Sequence, residues 1–287
     1  MKSLLLLMAT MALVPIESAL AQVAAVVEGV QMPAWIERDG RRLPLIPGME
    51  LRPGDQVVTD AGSRVMVKLA DGSLVRLGEK GQLRFTELSP TRELFKAALD
   101  VLEGAFRFTT GVVAKARKRE VSIRAAQVTA GIRGTDFWGR ARQGNETLCL
   151  IDGEIEVAAA GEKTVTLREP RQFYRRVDGK AQPVGRVNET QIATWSAEVE
   201  LQEGKGIARR GGRYSVQLAS AAEQSAVLPI YDELQNAGYP AELRPLKQGE
   251  KTVYAVRIRQ LASRAEAQAL AKQLRGKYGI SQPKVMP

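Results

Sequence analysis

The sequence contains no histidine in its 287 residues and only one cysteine, Cys149. Without an imidazole, the chain cannot form a histidine-dependent catalytic triad, a histidine zinc site or a histidine general base. A single cysteine also excludes an intramolecular disulfide. Because Cys149 lies in an apolar run, we interpret it as a buried strand thiol rather than a nucleophile. The composition therefore predicts no metal and no cofactor.

Long apolar runs are missing after the first residues, so the sequence predicts no transmembrane helix. At the start, Lys2 precedes an apolar run over residues 4–14, which is too short to span a bilayer and is ended by Pro15. Residues 19–21, Ala-Leu-Ala, form the small-x-small pattern of a cleavage site. We expect residues 1–21 to be a signal peptide and the mature protein to be exported without a membrane anchor.

Acidic residues are in the minority, with 32 Asp and Glu against 42 Lys and Arg, and the net charge is +10. Such a balance suits an anionic polymer such as cell wall, nucleic acid or lipid headgroups. Export argues against nucleic acid as the partner. The basic run from Lys115 to Arg119 is either a solvated loop or a contact to an anionic wall polymer or headgroup.

Short alternating runs separated by Asp-Gly turns fill residues 22–187. Residues 64–69 and 74–77 flank Asp71-Gly72 and predict a hairpin. Residues 94–102 fit a helix or a strand equally well by their period. We predict an all-β domain of sandwich or roll type.

A helix is predicted next, over residues 188–203, because Asn188 and Gln191 have capping-box spacing and Ile192, Trp195 and Val199 form one stripe. We expect that stripe to pack on the β domain. Residues 204–212 are rich in glycine and arginine, and they predict a short flexible linker between separable domains.

The last part, residues 213–287, shows the order β-α-β-β-α-β, which predicts a small α+β domain of ferredoxin-like type. Ser263 and Glu266 have the spacing of a capping box for the second helix. Pro229 falls inside the first helical run, so we expect a kink or a late start there.

Both helices of this domain must cover the same face of its sheet. The apolar positions that alternate along the first and third strands should face them, namely Val216, Leu218, Val256 and Ile258. The opposite face then carries Ser215, Gln217, Ala255, Arg257 and Arg259. This face is either a platform for an extended ligand or an ordinary solvated surface.

Four motifs of the β region stand in a fixed order: Leu51-Arg-Pro-Gly-Asp-Gln-Val-Val-Thr59, Ser63-Arg-Val-Met-Val-Lys-Leu-Ala-Asp-Gly-Ser73, Val128-Thr-Ala-Gly-Ile-Arg-Gly-Thr-Asp-Phe137 and Asp152-Gly-Glu-Ile-Glu-Val157. The first two resemble the first half of the FecR domain of periplasmic signal transducers, and the last two resemble its second half. The resemblance implies contact with other envelope proteins. The transducers' membrane span and cytosolic segment have no counterpart here, so transmembrane signalling does not carry over. Arg133 and Asp136 are either ligand-binding charges or structural partners beside a glycine bulge.

The C-terminal part carries four motifs in order: Tyr214-Ser-Val-Gln-Leu-Ala219, Leu234-Gln-Asn-Ala-Gly-Tyr239, Tyr254-Ala-Val-Arg-Ile258 and Ser263-Arg-Ala-Glu-Ala-Gln-Ala-Leu270. Together they resemble the SPOR domain of bacterial envelope proteins. The resemblance implies binding of septal peptidoglycan glycan strands that lack stem peptides, through Gln217 and Ser220. The chain departs from the family at Arg259, where a glycine is usual, and at Ala221 and Ala222, where an aromatic is usual.

Together these features predict a non-catalytic periplasmic peptidoglycan-binding protein whose β domain contacts an envelope partner. The candidate glycan-binding residues are Gln217, Ser215, Ser220, Arg257 and Arg259. Two alternatives are a glycan-cleaving enzyme of the cell wall, which needs only a carboxylate pair, and an envelope signal-sensing protein.

Overall fold

A computed structural model describes residues 23–91, 93–111 and 118–287, and this part of the chain is mostly β-structure. The predicted signal peptide and most of the basic run from Lys115 lie outside the described residues. The β domain contains strands β1 (Ala25–Gln31), β2 (Ala34–Arg38), β3 (Arg41–Pro44), β4 (Glu50–Leu51), β5 (Gln56–Thr59), β6 (Arg64–Leu69), β7 (Leu74–Leu77), β8 (Gln82–Pro90), β9 (Leu94–Thr109), β10 (Lys118–Ala125), β11 (Val128–Ala141), β12 (Thr147–Ala159), β13 (Val165–Leu167), β14 (Gln172–Val177), β15 (Lys180–Ala181) and β16 (Gly185–Arg186).

Three long strands connect the two halves of the β domain. The first part of β9 pairs with β8 and β10, and its last part pairs with β7 and β11. Strands β11 and β12 likewise run side by side with shifts in register. The strands thereby surround one apolar core, which contains the buried rings of Phe85, Phe95, Phe106, Phe108 and Phe137.

The predicted hairpin around Asp71-Gly72 is confirmed, since β6 and β7 pair antiparallel from Val65–Leu77 to Lys68–Leu74. Residues 94–102, which fit either a helix or a strand, belong to β9. Half-buried and buried positions alternate from Leu94 to Leu99, because every second side chain enters the core, and the alternation is broken at the buried Asp100.

Helix α1 (Glu189–Ala197) begins where the sequence predicts, with the Asn188 side chain accepting a hydrogen bond from the Gln191 backbone N–H at 2.8 Å. It ends before Gln202. The Trp195 ring stacks on Trp138 with centroids 4.5 Å apart. Val199 is fully buried beside them, so this segment packs on the β domain as expected.

The C-terminal domain is built from strands β18 (Tyr214–Ala221), β19 (Glu242–Gln248), β20 (Lys251–Leu261) and β21 (Lys284–Met286), with helices α2 (Leu228–Asn236) and α3 (Arg264–Leu274). The strands pair antiparallel in the order β19-β20-β18-β21. Helix α2 starts late, as Pro229 predicts, because proline is tolerated in the first turn but not in the interior. Among the helices of the described residues, none has the length and apolar character needed to span a membrane.

The segment predicted to be a flexible linker is ordered. It contains strand β17 (Ile207–Arg209), which pairs with Gly29–Gln31 of β1 and places Ala208 opposite Leu261 of β20. The Glu266 carboxylate at the start of α3 accepts the backbone N–H groups of Gly204, Gly206 and Ile207 at 2.7, 2.8 and 2.9 Å. The sequence could not indicate this, because Glu266 lies far along the chain from the amides that it binds.

A second contact joins the two domains. The Trp35 ring packs against Gly238, where a Cβ atom would lie only 2.5 Å from the ring. The Ala34 backbone N–H also donates to the Gly238 carbonyl at 3.3 Å, and Trp35 Nε1 donates to the Asn236 carbonyl at 3.4 Å. The sheets of the two domains are therefore linked through β17, and the domains also touch where Trp35 packs against Gly238. These contacts differ from the expectation that few contacts cross the linker.

Candidate functional site

One face of the C-terminal sheet, here called the outer face, is turned away from helices α2 and α3. Val216 and Ile258, which pair across β18 and β20, are fully buried and face the helices. Gln217 and Arg257 pair at the next position and therefore point to the outer face. The alternation in the sequence predicts this arrangement correctly.

Gln217 and Arg257 form a hydrogen-bonded pair on the outer face. The Gln217 side-chain oxygen accepts from Arg257 Nε at 3.2 Å and from Arg257 Nη2 at 2.9 Å. The Gln217 amide nitrogen donates to Ser220 Oγ at 3.4 Å. Since an amide nitrogen carries two donors and a guanidinium carries five, both side chains keep donors for a ligand.

A groove of about 530 Å³ includes Arg257 of this pair, while Gln217 lies outside its lining. Its other charged and polar lining residues include Arg213, Ser215, Glu242, Arg244 and Arg259. Arg244 Nε lies 2.8 Å from the Glu242 carboxylate, and Arg259 Nη1 lies 3.7 Å from it. Two of the four groove guanidiniums, those of Arg244 and Arg259, thus share the Glu242 carboxylate. The groove therefore offers a positive, donor-rich surface to a polar or anionic ligand.

The candidate residues of the sequence analysis differ in how far they reach this surface. Arg257 and Arg259 line the groove, and Arg259 is 56% exposed. Ser215 lines it too, but only 9% of the residue is exposed. Ser220 is exposed at the end of β18, next to Gln217.

Sequence reasoning missed three groove residues, namely Arg213, Glu242 and Arg244. Glu242 pairs with Arg257 across β19 and β20, and Arg244 pairs with Ala255, so both lie on the outer face. The run Glu242-Leu243-Arg244 alternates polar and apolar residues, and that signal could have placed its two charges there. Arg213 directly precedes β18 and carried no such signal.

Two other hollows are weaker candidates. One, of about 360 Å³, lies on the β domain, but Arg64 Nε already donates to the Glu198 carbonyl at 2.9 Å and Arg140 pairs with the Glu198 carboxylate. The other, of about 570 Å³, lies between the β domain and α3 and is lined by Lys205 and Lys272. In neither does a guanidinium pair with an amide side chain as it does on the outer face.

Asp136 has a structural partner. Its two carboxylate oxygens accept from Arg107 Nε at 2.9 Å and from Arg107 Nη2 at 2.7 Å, and the hydrogen bond raises the pKa of Arg107. Gly134 has φ +62°, and the pairing of β11 with β12 shifts register between Arg133 and Asp136. Of the two interpretations of this motif, the geometry of Asp136 and Gly134 fits a bulge with a paired aspartate.

Cys149 is fully buried beside Trp138 and Val199. This burial raises the pKa of the thiol to about 12, because the thiolate is poorly solvated there. The buried strand thiol predicted from the sequence is confirmed.

Comparison with known proteins assigns both parts of the chain. The family model for FecR protein matches residues 55–156, and the model for the SPOR domain matches residues 211–287. Comparison with curated proteins gives no match. Two crystal structures of a candidate anti-sigma factor from Parabacteroides distasonis ATCC 8503 align with this chain, each at a TM-score of 0.41. The first is 14% identical, and the alignment covers 69% of this chain and 97% of that structure. The second is 15% identical, and the alignment covers 76% of this chain and 89% of that structure. A TM-score of 0.41 is too low to assign a fold or a function. The two family matches show that the chain carries a FecR domain followed by a C-terminal SPOR domain.

Proposed function

We propose that this is a non-catalytic periplasmic protein whose SPOR domain, with a ferredoxin-like arrangement, binds peptidoglycan glycan strands that lack stem peptides. The observation that carries the proposal is the Gln217–Arg257 pair beside an open groove on the outer face. The SPOR match, which implies peptidoglycan binding, supports the same ligand.

The groove suits a sugar polymer chemically. Glycan hydroxyl and acetamido groups need both donors and acceptors; on this face the remaining donors of Gln217 and Arg257 supply the first, and the Ser220 hydroxyl supplies the second. Arg257 holds the Gln217 oxygen, so the amide nitrogen is directed towards Ser220. A side chain fixed in this way loses less conformational entropy when it binds.

The FecR domain is proposed to contact another envelope protein, in keeping with its family. Strand β17 links β1 of the β domain, which contains the FecR match, to β20 of the SPOR domain, so the two domains are connected. A partner bound to the FecR domain would therefore be carried to the wall with the glycan-binding face. Envelope signal sensing is the second candidate function, and the FecR match is the observation that favours it.

Co-sedimentation with purified sacculi tests the main proposal. The protein should bind sacculi treated with an amidase, which removes stem peptides, more strongly than intact sacculi. Gln217→Leu should weaken binding by about 1–2 kcal/mol, the usual scale for a lost hydrogen bond to a ligand. Arg257→Ala should weaken it too, and more at low salt than at high salt, because part of its effect is charge.

The matched control is Gln268→Leu, the same substitution at an exposed position of α3 on the other side of the sheet. It should bind like the wild type, and all variants should melt at nearly the same temperature. Equal binding by wild type and Gln217→Leu would mean that the outer face is only solvated. Release of soluble sugar fragments from the sacculi would show instead that the protein is an enzyme.

A further inference from the structure

Arg64 of the β domain is a buried cation that has no counter-ion among the described residues. Only 8% of the residue is exposed, and it forms no ion pair within that part of the chain. Its Nε donates to the Glu198 carbonyl at 2.9 Å and its Nη1 to the Gly62 carbonyl at 3.3 Å, while Nη2 has no acceptor among the same residues. Buried charges are normally paired with an opposite charge, because an isolated charge is costly to remove from water. The charge of Arg64 therefore suits an anionic ligand.

Arg64 faces the hollow of about 360 Å³ on the β domain, here called the charged hollow. Ala105 lies on its floor and pairs with Arg140 across β9 and β11, and the Gly78 N–H donates to the Ala105 carbonyl at 2.8 Å. Neither Gly78 nor Ala105 has a side-chain atom beyond Cβ, so the hollow stays open between the two arginines. Its volume lies at the lower end of the range for small-molecule sites, which suits a ligand of dipeptide size.

The rim of the charged hollow carries unpaired groups of both signs. Lys80, Glu103 and Arg142 line it and are exposed, and none of them forms an ion pair within the described part of the chain. Arg140 differs, because it pairs with the Glu198 carboxylate. A purely anionic ligand would be repelled by Glu103, and a purely cationic ligand by the surrounding cations. The complementary ligand therefore carries both a negative and a positive group.

We propose that the charged hollow binds a short peptide with free termini, with the peptide carboxylate at Arg64 and the peptide ammonium group at Glu103. The Nη2 of Arg64 supplies a charge-assisted donor to the carboxylate, and Lys80 and Arg142 strengthen the attraction from the rim. The Glu103 carboxylate accepts from the ammonium group. Because this site lies on the β domain and not on the outer face, it is independent of the proposed glycan binding.

Three forms of one dipeptide test this assignment. Alanylalanine carries both charges, its N-acetyl derivative keeps only the carboxylate, and its C-terminal amide keeps only the ammonium group. Calorimetry at low salt, with peptide up to the millimolar range, measures the affinity of the purified protein for each form. The wild type should bind alanylalanine about tenfold or more tightly than either blocked form, because each loses one charge-assisted hydrogen bond. That preference should shrink as salt rises.

Two variants separate the two ends of the peptide. Arg64→Gln should bind alanylalanine and its amide within about threefold of each other. Since Arg64 also holds the Glu198 carbonyl, the second variant is at an exposed position: Glu103→Gln should bind alanylalanine and its N-acetyl derivative within about threefold. Arg275→Gln, at an exposed position after α3, should keep both wild-type preferences.

Thermal melting of each variant checks that it is folded. No measurable binding of alanylalanine by the wild type, equal affinity for the three forms, or unchanged preferences in a folded Glu103→Gln would overturn the proposal. Sacculus binding by the outer face is measured separately, so these results leave the proposed function untouched.

Discussion

Replacing Glu266 by glutamine should loosen the segment that joins the two domains. The Glu266 carboxylate is 5% exposed and accepts three backbone N–H groups, from Gly204, Gly206 and Ile207. Each hydrogen bond to a charged acceptor contributes about 1.5–3 kcal/mol, and three bonds to one carboxylate contribute less than their sum. A glutamine keeps one acceptor oxygen and turns an NH₂ group towards the remaining donors. The expected loss in the free energy of unfolding is therefore about 2–4 kcal/mol.

Two measurements check this prediction. Urea denaturation gives the stability change, and hydrogen exchange reports the amides of Gly206 and Ile207, which should lose protection in the variant. The control is Glu233→Gln, at an exposed position of α2, which should change stability by no more than about 0.5 kcal/mol. Wild-type stability and wild-type amide protection in Glu266→Gln would refute the claim that this carboxylate holds the joining segment.

The remaining predictions concern the buried thiol of Cys149 and the contact between Gly238 and Trp35. Burial raises the pKa of Cys149 to about 12, so its thiol should stay protonated at mildly alkaline pH and resist iodoacetamide in the native protein. The same thiol should react once the protein is unfolded in urea. Rapid alkylation of the native form would contradict this burial. Gly238→Ala should destabilise the protein by about 2–4 kcal/mol, because the residue has φ +79° and its new methyl group would clash with Trp35. The control is Gly211→Ala, at φ +78° with open space around it, which should lower the free energy of unfolding by only about 1 kcal/mol. Urea denaturation measures both variants. Equal losses of stability would mean that the Trp35 contact adds nothing to the cost of Gly238→Ala.

Local patterns predict much of this molecule because neighbouring residues determine them. The Asp71-Gly72 turn gives the hairpin, Pro229 delays helix α2, and alternation places Gln217 and Arg257 on the outer face. The same alternation along β19 contains the signal for Glu242 and Arg244, which becomes useful once β19 is known to pair with β20.

The joining segment could not be predicted in this way. Glycine and arginine in residues 204–212 are typical of a flexible linker. Their order comes instead from β1, at the start of the described chain, and from Glu266, about 60 residues further on. The capping-box pattern identifies Ser263, whose hydroxyl accepts from the Glu266 N–H at 3.2 Å, but the Glu266 side chain binds the linker amides. Contacts between residues so far apart leave no periodic signal in a single sequence.

The central claim is that the outer face of the C-terminal sheet binds a glycan strand. The most direct measurement is hydrogen exchange of the full protein with and without glycan strands released from amidase-treated sacculi. Protection should increase along β18 and β20, around Gln217 and Arg257, while α2 and α3 stay unchanged. Protection confined to the helices or to the FecR domain, under conditions where glycan is bound, would contradict the account.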